Sequence, residues 1–115
     1  MTKSPIVTRE SIQAMLDNPN RDYVVRVVGR ALTAIFNNQT DAEKSANTTD
    51  VDNGIGFSGA DARSGTLTAK TFLKNKTLLD WQVAQWTKRG KNGFSRLTKY
   101  AKQLDAIAQR KAARA

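Results

Sequence analysis

The sequence contains no cysteine and no histidine, and only two of its 115 residues are proline. Without cysteine the chain has no disulfide, no thiolate nucleophile and no zinc–thiolate site. Without histidine it lacks the commonest general base and the commonest metal ligand. These absences argue against most hydrolase and metalloenzyme classes, so we expect a protein that is not an enzyme and that holds no metal ion or other cofactor.

Long apolar runs are also missing. No stretch approaches the roughly 20 apolar residues that span a bilayer, and residues 1–8 lack the apolar segment of a secretion signal. A chain of this length forms one domain with a modest core, and a mean hydropathy of −0.55 is low but still globular. We therefore expect a single domain over residues 1–115, located in the cytoplasm and without membrane contact.

Acidic residues are scarce in the second half of the chain. Residues 1–60 carry six basic and seven acidic side chains, whereas residues 61–115 carry 13 and three. The net charge is +9 and the pI is near 10.3. Because a basic surface concentrates polyanions, this imbalance favours nucleic acid or an acidic protein surface as the partner. Charge that serves solubility alone is the simpler alternative.

Apolar residues at helical spacing predict most of the secondary structure. A short helix is expected over 8–17 with Thr8 as its cap. A long helix is expected over 21–37 with Asn20 or Asp22 as its cap. The β-branched residues at 23–28 leave a strand as the competing interpretation there. Three further helices are predicted, at 60–74, 77–88 and 94–110. The fold class is therefore all-α, a compact domain of four to five helices whose core is formed by 21–37 and the basic C-terminal helix.

Three regions lie outside the long helices. They are a short N-terminal helix and turn over 1–20, a long polar, acidic loop over about 38–56 that crosses the core helices, and a basic tail over 109–115 that frays. The motif Asp50-x-Asp52-x-Gly54 departs from the spacing of a calcium-binding loop, so we expect no metal there.

The segment Asn53–Gly65, N-G-I-G-F-S-G-A-D-A-R-S-G, holds four of the seven glycines. Three of them match the G-x-G-x-x-G spacing of phosphate cradles, but no apolar strand precedes them and no P-loop lysine follows. We interpret the segment as an architectural joint. Phe57 inserts into the core, Ser58 or Asp61 caps the next helix, and Asp61 and Arg63 fix its start. Partner contact is the alternative role for Phe57, Asp61 and Arg63.

Four segments resemble a known group of proteins. They are R-A-L-T-A-I-F-N-N-Q-T-D-A-E-K (30–44), the segment 53–65, L-L-D-W-Q-V-A-Q-W (78–86) and R-L-T-K-Y-A-K-Q-L (96–104). In this order they resemble a family of small phage- and plasmid-borne proteins. They are also similar to segments of accessory modules that occur beside DNA-processing domains such as helicases. The resemblance spans about residues 24–108. It implies a mobile-element origin and a setting near DNA metabolism, favours DNA over RNA, and supplies no catalytic residues.

The first functional hypothesis is a non-enzymatic nucleic-acid-binding module with a preference for single strands, or with little sequence preference. Basic side chains of the turn at 88–91 and of the last helix would contact phosphates, and aromatic rings, including Tyr100, would stack on unpaired bases. Each aromatic taken singly is also explained as a core residue. The candidate binding residues are Trp81, Trp86, Lys88, Arg89, Lys91, Phe94, Arg96, Lys99, Lys102, Arg110 and Lys111.

Two other hypotheses belong to different classes. One is a phage-encoded inhibitor or adaptor whose basic face docks on a host nucleic-acid-processing protein, for which long polar loops with isolated anchors are suited. The other is a magnesium-dependent nuclease using Asp50, Asp52, Asp61 or Glu43. No paired carboxylate spacing on a rigid element supports the nuclease.

Overall fold

The computed structural model describes residues 6–46 and 56–114, apart from the side chains of 39–46 and 112–114. These residues form five α-helices and one 3-10 helix: α1 (Arg9–Leu16), α2 (Arg21–Ala46), α3 (Ala62–Asn75), α4 (Asp80–Thr87), the 3-10 helix (Arg96–Tyr100) and α5 (Ala101–Arg114). The described part contains no β-sheet, only an isolated bridge between Arg89 and Ser95. The predicted all-α fold class is confirmed.

Helix α1 begins where the sequence indicates. The Thr8 hydroxyl accepts a hydrogen bond from the Ser11 backbone N–H at 3.0 Å, and the Ser11 hydroxyl accepts one from the Thr8 N–H at 2.8 Å. This reciprocal arrangement satisfies two backbone donors that the first turn would otherwise leave free. Ile12 and Leu16 then lie on the face that is buried in the core.

Helix α2 is longer than predicted. It begins after Asn20, whose side chain accepts from the Tyr23 N–H, and it buries Val28, Leu32 and Ile35 completely. It continues to Ala46, so the predicted polar loop is wrong over 38–46. No proline or glycine occurs between Gly29 and Asn53 to stop the helix, and the alanines, glutamate and lysine near its end favour helical backbone. The rest of that loop, 47–55, lies outside the described residues.

Helix α3 packs closely along α2. The Phe72 ring lies against Gly29, where a Cβ atom would come within 2.2 Å of it. Ala69 is fully buried in the same interface. Leu73 fits the helical spacing of the apolar residues in α3 but is 42% exposed. The core therefore centres on α2, and α3 is its main partner in place of the predicted C-terminal helix.

The two C-terminal elements begin later than predicted. Helix α4 starts at Asp80 without a Thr77 cap, because the Gln82 side chain accepts from the Leu79 N–H at 3.0 Å. The last helix opens as the 3-10 turn at Arg96, because Ser95 is held in extended backbone by its N–H bond to the Gln13 side chain. It then continues as α5 to Arg114, four residues beyond the predicted end.

No helix of the described segments combines the length and the apolar character that crossing a membrane requires.

Candidate nucleic-acid interface

The glycine-rich segment is attached to the C-terminal helix. The Gln103 side chain accepts from the Gly56 N–H at 2.6 Å and donates to the Gly56 carbonyl at 3.0 Å. The Ser58 N–H donates to the Tyr100 hydroxyl at 3.1 Å. Gly56 has a φ of 84°, in the left-handed region that glycine adopts without strain. The segment thus joins α3 to α5, and the Gly56 amide already has a protein partner where a phosphate cradle would leave it open.

Asp61 is the buried centre of this joint. It is 1% exposed, and its Oδ1 accepts from Nε of Arg96 at 3.0 Å and also from Nη2 of the same guanidinium. Its Oδ2 accepts from the Tyr100 hydroxyl at 2.6 Å and forms an ion pair with Nζ of Lys99. The predicted cap of α3 is therefore wrong in its chemistry: Asp61 stands at the N-cap position, but its side chain makes no capping bond. Two cations and a phenol compete for it more strongly than a backbone N–H does.

The network sets the protonation of its members. Burial by itself raises the pKa of Asp61, but the hydrogen bonds from Lys99, Tyr100 and Arg96 outweigh it and hold the pKa of that carboxyl below its ordinary value. Burial, with the bond to the Asp61 carboxylate, raises the pKa of Tyr100 to about 12. At neutral pH the carboxylate is therefore an anion and the phenol is neutral.

Aromatic rings surround the ion pairs. Phe57 lies 6.2 Å from Trp86 and meets Tyr100 edge-on at 5.9 Å between ring centroids. The Arg96 guanidinium lies over the Trp86 ring at 4.7 Å. The guanidinium is thus fixed along one edge by Asp61 and across one face by Trp86. The prediction that Phe57 inserts into the core is confirmed.

A cleft of about 510 Å³ opens beside this network. Five basic side chains from three parts of the chain line it: Arg9 from α1, Lys88 and Arg89 from the turn after α4, and Arg96 and Lys99 from the 3-10 helix. Phe94 contributes a partly exposed ring. No carboxylate lines the cleft among the described residues. The arrangement is suited to holding an anion with an aromatic or other flat group attached.

The ion pairs around the cleft leave an excess of positive charge. Arg96 and Lys99 share the single carboxylate of Asp61, and Arg89 pairs with Asp17 at 2.9 Å. Arg9 and Lys88 form no ion pair with any described residue. Five cations are therefore balanced by two carboxylates, which leaves a net charge of about +3 to attract a polyanion.

The structure brings together only part of the predicted binding set. Lys88, Arg89, Phe94, Arg96 and Lys99 line the cleft. Lys91 and Lys102 are exposed but outside its lining, and so are Lys111 and Arg110, which donates to the Asn38 side chain at 2.7 Å. Arg63 is exposed on α3.

The described residues contain no group of three or more acidic side chains that could hold a metal ion, and both oxygens of Asp61 are occupied by protein donors. Asp50 and Asp52 lie outside the described residues.

Two of the predicted stacking residues are wrong. Trp86 is 0% exposed because it packs between Phe57 and Arg96, and Tyr100 is buried with its hydroxyl on Asp61. Trp81 is 55% exposed, but it lies near the start of α4, away from the basic turn at the other end, and does not line the cleft. Phe94 is the one predicted aromatic residue that does.

Sequence reasoning missed Arg9 and Gln85, which also line the cleft. Arg9 stands 79 positions before Lys88 and carries no local signal beyond its charge. Gln85 is a single neutral polar residue of α4 and carries no local signal of a binding role. The tertiary fold alone places the two beside the basic turn.

Comparisons with protein-family models, curated proteins and solved structures found no match to this chain.

Proposed function

We propose that this protein is a non-enzymatic nucleic-acid-binding module and that the basic cleft is its binding surface. The observation that carries the proposal is the convergence of Arg9, Lys88, Arg89, Arg96 and Lys99 on one cleft without a lining carboxylate among the described residues. Lysine and arginine side chains bind phosphates and release counterions from the nucleic acid, which is the main source of non-specific affinity. An accessory role in a mobile element rests only on the resemblance of the four sequence segments.

A single strand fits the cleft better than a duplex. Phe94 presents a partly exposed ring among the cations, and such a ring stacks on an unpaired base. The bases of a duplex are already stacked and paired, so they cannot reach it. No group that reads base edges accompanies the ring, and we therefore propose little sequence preference, with DNA favoured over RNA on the resemblance alone.

The test is fluorescence anisotropy with end-labelled single- and double-stranded oligonucleotides of the same sequence. We expect tighter binding of the single strand and, because the cleft carries an excess of about three positive charges, a roughly 20-fold loss of affinity when salt rises fourfold. Anisotropy is preferable to tryptophan emission, because Trp86 is buried and Trp81 lies outside the cleft. No binding at low salt would overturn the proposal.

A matched pair of variants tests the location. The double variant Arg9→Gln, Lys88→Gln removes two cleft charges, and Lys102→Gln, Lys111→Gln removes two exposed charges outside it. We expect the first pair to weaken binding about tenfold or more and the second to change it about threefold or less. Equal losses would show that total charge, not the cleft, determines binding.

A protein-docking function is the second candidate. Leu79 and Trp81, two large apolar residues at the start of α4, are 57% and 55% exposed. Tryptophan is a typical anchor of protein interfaces, and an exposed apolar patch marks an interaction site, which suits an inhibitor or adaptor that binds a host nucleic-acid-processing protein. A partner retained from nuclease-treated lysate, and lost with Trp81→Ala but not with Lys88→Gln, would support this candidate over the first.

A further inference from the structure

We infer that the cleft recognises a phosphomonoester, the terminal phosphate of a nucleic-acid strand, in preference to the phosphodiesters within the strand. The inference rests on the proposed function and specifies its ligand.

The cleft forms where separate segments of the chain meet. Its cations come from α1, from the turn after α4 and from the 3-10 helix, and these three segments converge on one concavity. A surface that binds along a nucleic-acid strand needs basic side chains spaced to contact its successive phosphates. The volume of about 510 Å³ falls within the roughly 300–1,000 Å³ range of sites for small molecules. It is therefore suited to one nucleotide unit and its phosphate.

The charge of the cleft matches a dianion. A phosphomonoester carries about −1.5 to −2 at neutral pH and has three strong acceptor oxygens, whereas each phosphate within a strand carries a single negative charge. The cleft has about three positive charges in excess of its two carboxylate partners, and Arg9 and Lys88 are without an ion-pair partner among the described residues. A dianionic monoester therefore neutralises more of this excess positive charge than a singly charged diester does.

Asp61 acts as a positioning residue for this site. It holds Nε and Nη2 of Arg96, and Trp86 lies against one face of the guanidinium. The other guanidinium nitrogen, Nη1, has no protein partner among the described residues, and the side chain is 31% exposed beside the cleft. A guanidinium fixed in this way presents its free N–H groups without loss of side-chain entropy, and paired N–H groups match phosphate oxygens. Lys99, held by the same carboxylate, lines the cleft next to it.

Ser95, Thr98 and Asn92 also line the cleft. The Ser95 and Thr98 hydroxyls already donate to the backbone carbonyls of Thr87 and Ser95. The Asn92 amide group therefore supplies the hydrogen-bond donors that these three side chains add without adding negative charge. Phe94 also lines the cleft and offers a ring on which the base of the terminal nucleotide would stack.

The test compares four ligands with the intact protein: one labelled single strand with a 5′-phosphate, with a 3′-phosphate, and with hydroxyls at both ends, and a nucleoside monophosphate as competitor. We expect either phosphorylated end to bind at least about tenfold tighter than the hydroxyl strand. A nucleoside monophosphate that displaces the strand at equal concentration would support the same site with a free nucleotide as its ligand.

The outcomes separate the inference from the proposed function. If all three strands bind with equal affinity, the inference is overturned and nucleic-acid binding stands. If no strand binds, nucleic-acid binding fails, and displacement of a fluorescent nucleotide by the monophosphate then decides whether the phosphomonoester site itself exists.

Lys88→Gln and Lys91→Gln form a matched pair for the same experiment. Both lysines are exposed in one turn and neither has an ion-pair partner among the described residues, but only Lys88 lines the cleft. We expect Lys88→Gln to weaken binding of the phosphorylated strand about fivefold more than binding of the hydroxyl strand, and Lys91→Gln to leave the preference unchanged. Equal effects of the two variants on the preference would refute the assignment.

Discussion

Arg96 donates from Nε to the Asp61 carboxylate at 3.0 Å, although 35 positions separate the two residues. This bond joins the start of α3 to the start of the 3-10 helix. Because Asp61 is 1% exposed and also binds Lys99 and Tyr100, one buried carboxylate fixes the glycine-rich joint and two cations of the cleft together. The joint and the candidate binding surface are thus parts of the same structural unit.

Removing the Asp61 charge destabilises the fold. We expect Asp61→Asn to lower the free energy of unfolding by about 2–4 kcal/mol, less than for a fully buried pair because Arg96 and Lys99 are partly exposed. Urea unfolding measures it. The control is Asp80→Asn: Asp80 pairs with Arg21 but its side chain is 92% exposed, so that loss stays below about 1 kcal/mol. Equal effects of the two variants would contradict the central role of Asp61.

The buried phenol makes the fold sensitive to alkali. Burial and the Asp61 bond raise the pKa of Tyr100 from 10.0 to about 12. Because the folded protein favours the neutral phenol, its stabilisation is complete below pH 10 and is lost as the pH rises from 10 through about 12. We expect the free energy of unfolding of Tyr100→Phe to depend less on pH over that range than that of the parent protein. The tyrosinate absorbance difference between the two proteins gives the midpoint, and a midpoint near 10 would refute the prediction.

Gly65 is required by close packing and not by backbone conformation. A Cβ atom there would lie 2.5 Å from the ring of Phe57. Although alanine favours helix over glycine by about 1 kcal/mol, the displaced core ring costs more, and we expect Gly65→Ala to destabilise the protein by about 1–2 kcal/mol net. Thermal unfolding against Gly59→Ala provides the control, since nothing lies within 4 Å of a Cβ at Gly59. A stabilised Gly65→Ala variant would disprove the packing argument.

The two tryptophans report different environments. Trp86 is 0% exposed and Trp81 is 55% exposed. We therefore expect Trp81→Phe, which retains only Trp86, to emit at shorter wavelength and to resist acrylamide quenching, because water and quencher cannot reach the buried ring. Trp86→Phe, which retains Trp81, is expected to emit at longer wavelength and to quench readily. Similar quenching constants in the two variants would contradict this placement.

Helical periodicity predicted the number and type of the elements, because each amphipathic stripe is a local property of the chain. The Thr8 cap is local in the same way. The polar composition of 38–46 predicts a loop, but a polar segment continues a helix where no helix breaker stops it. Periodicity also does not show how far the packed face of a helix extends: Leu73 fits the apolar spacing of α3 but faces solvent.

The candidate site was predictable only in its charge. Four of the five cations of the cleft lie after position 60, where the sequence has its excess of basic residues, and five of the eleven predicted binding residues line the cleft. Arg9 could not have been identified, because it reaches the cleft from the opposite end of the sequence. The sequence also does not show which aromatic residues are buried and which are exposed. Spacing gives the angle between Trp81 and Trp86 around the helix axis but not which of them faces the core.

The sequence by itself determined an all-α chain with a basic C-terminal half and a glycine-rich joint, since composition and periodicity are properties of neighbouring residues. Only the tertiary structure decided that Asp61 is a counter-ion instead of a cap, that Trp86 is core, and that Arg9 joins Lys88 and Arg96 in one cleft. The physical reason is that ion pairing and burial depend on distances between residues far apart in sequence, and those distances exist only when the helices are packed.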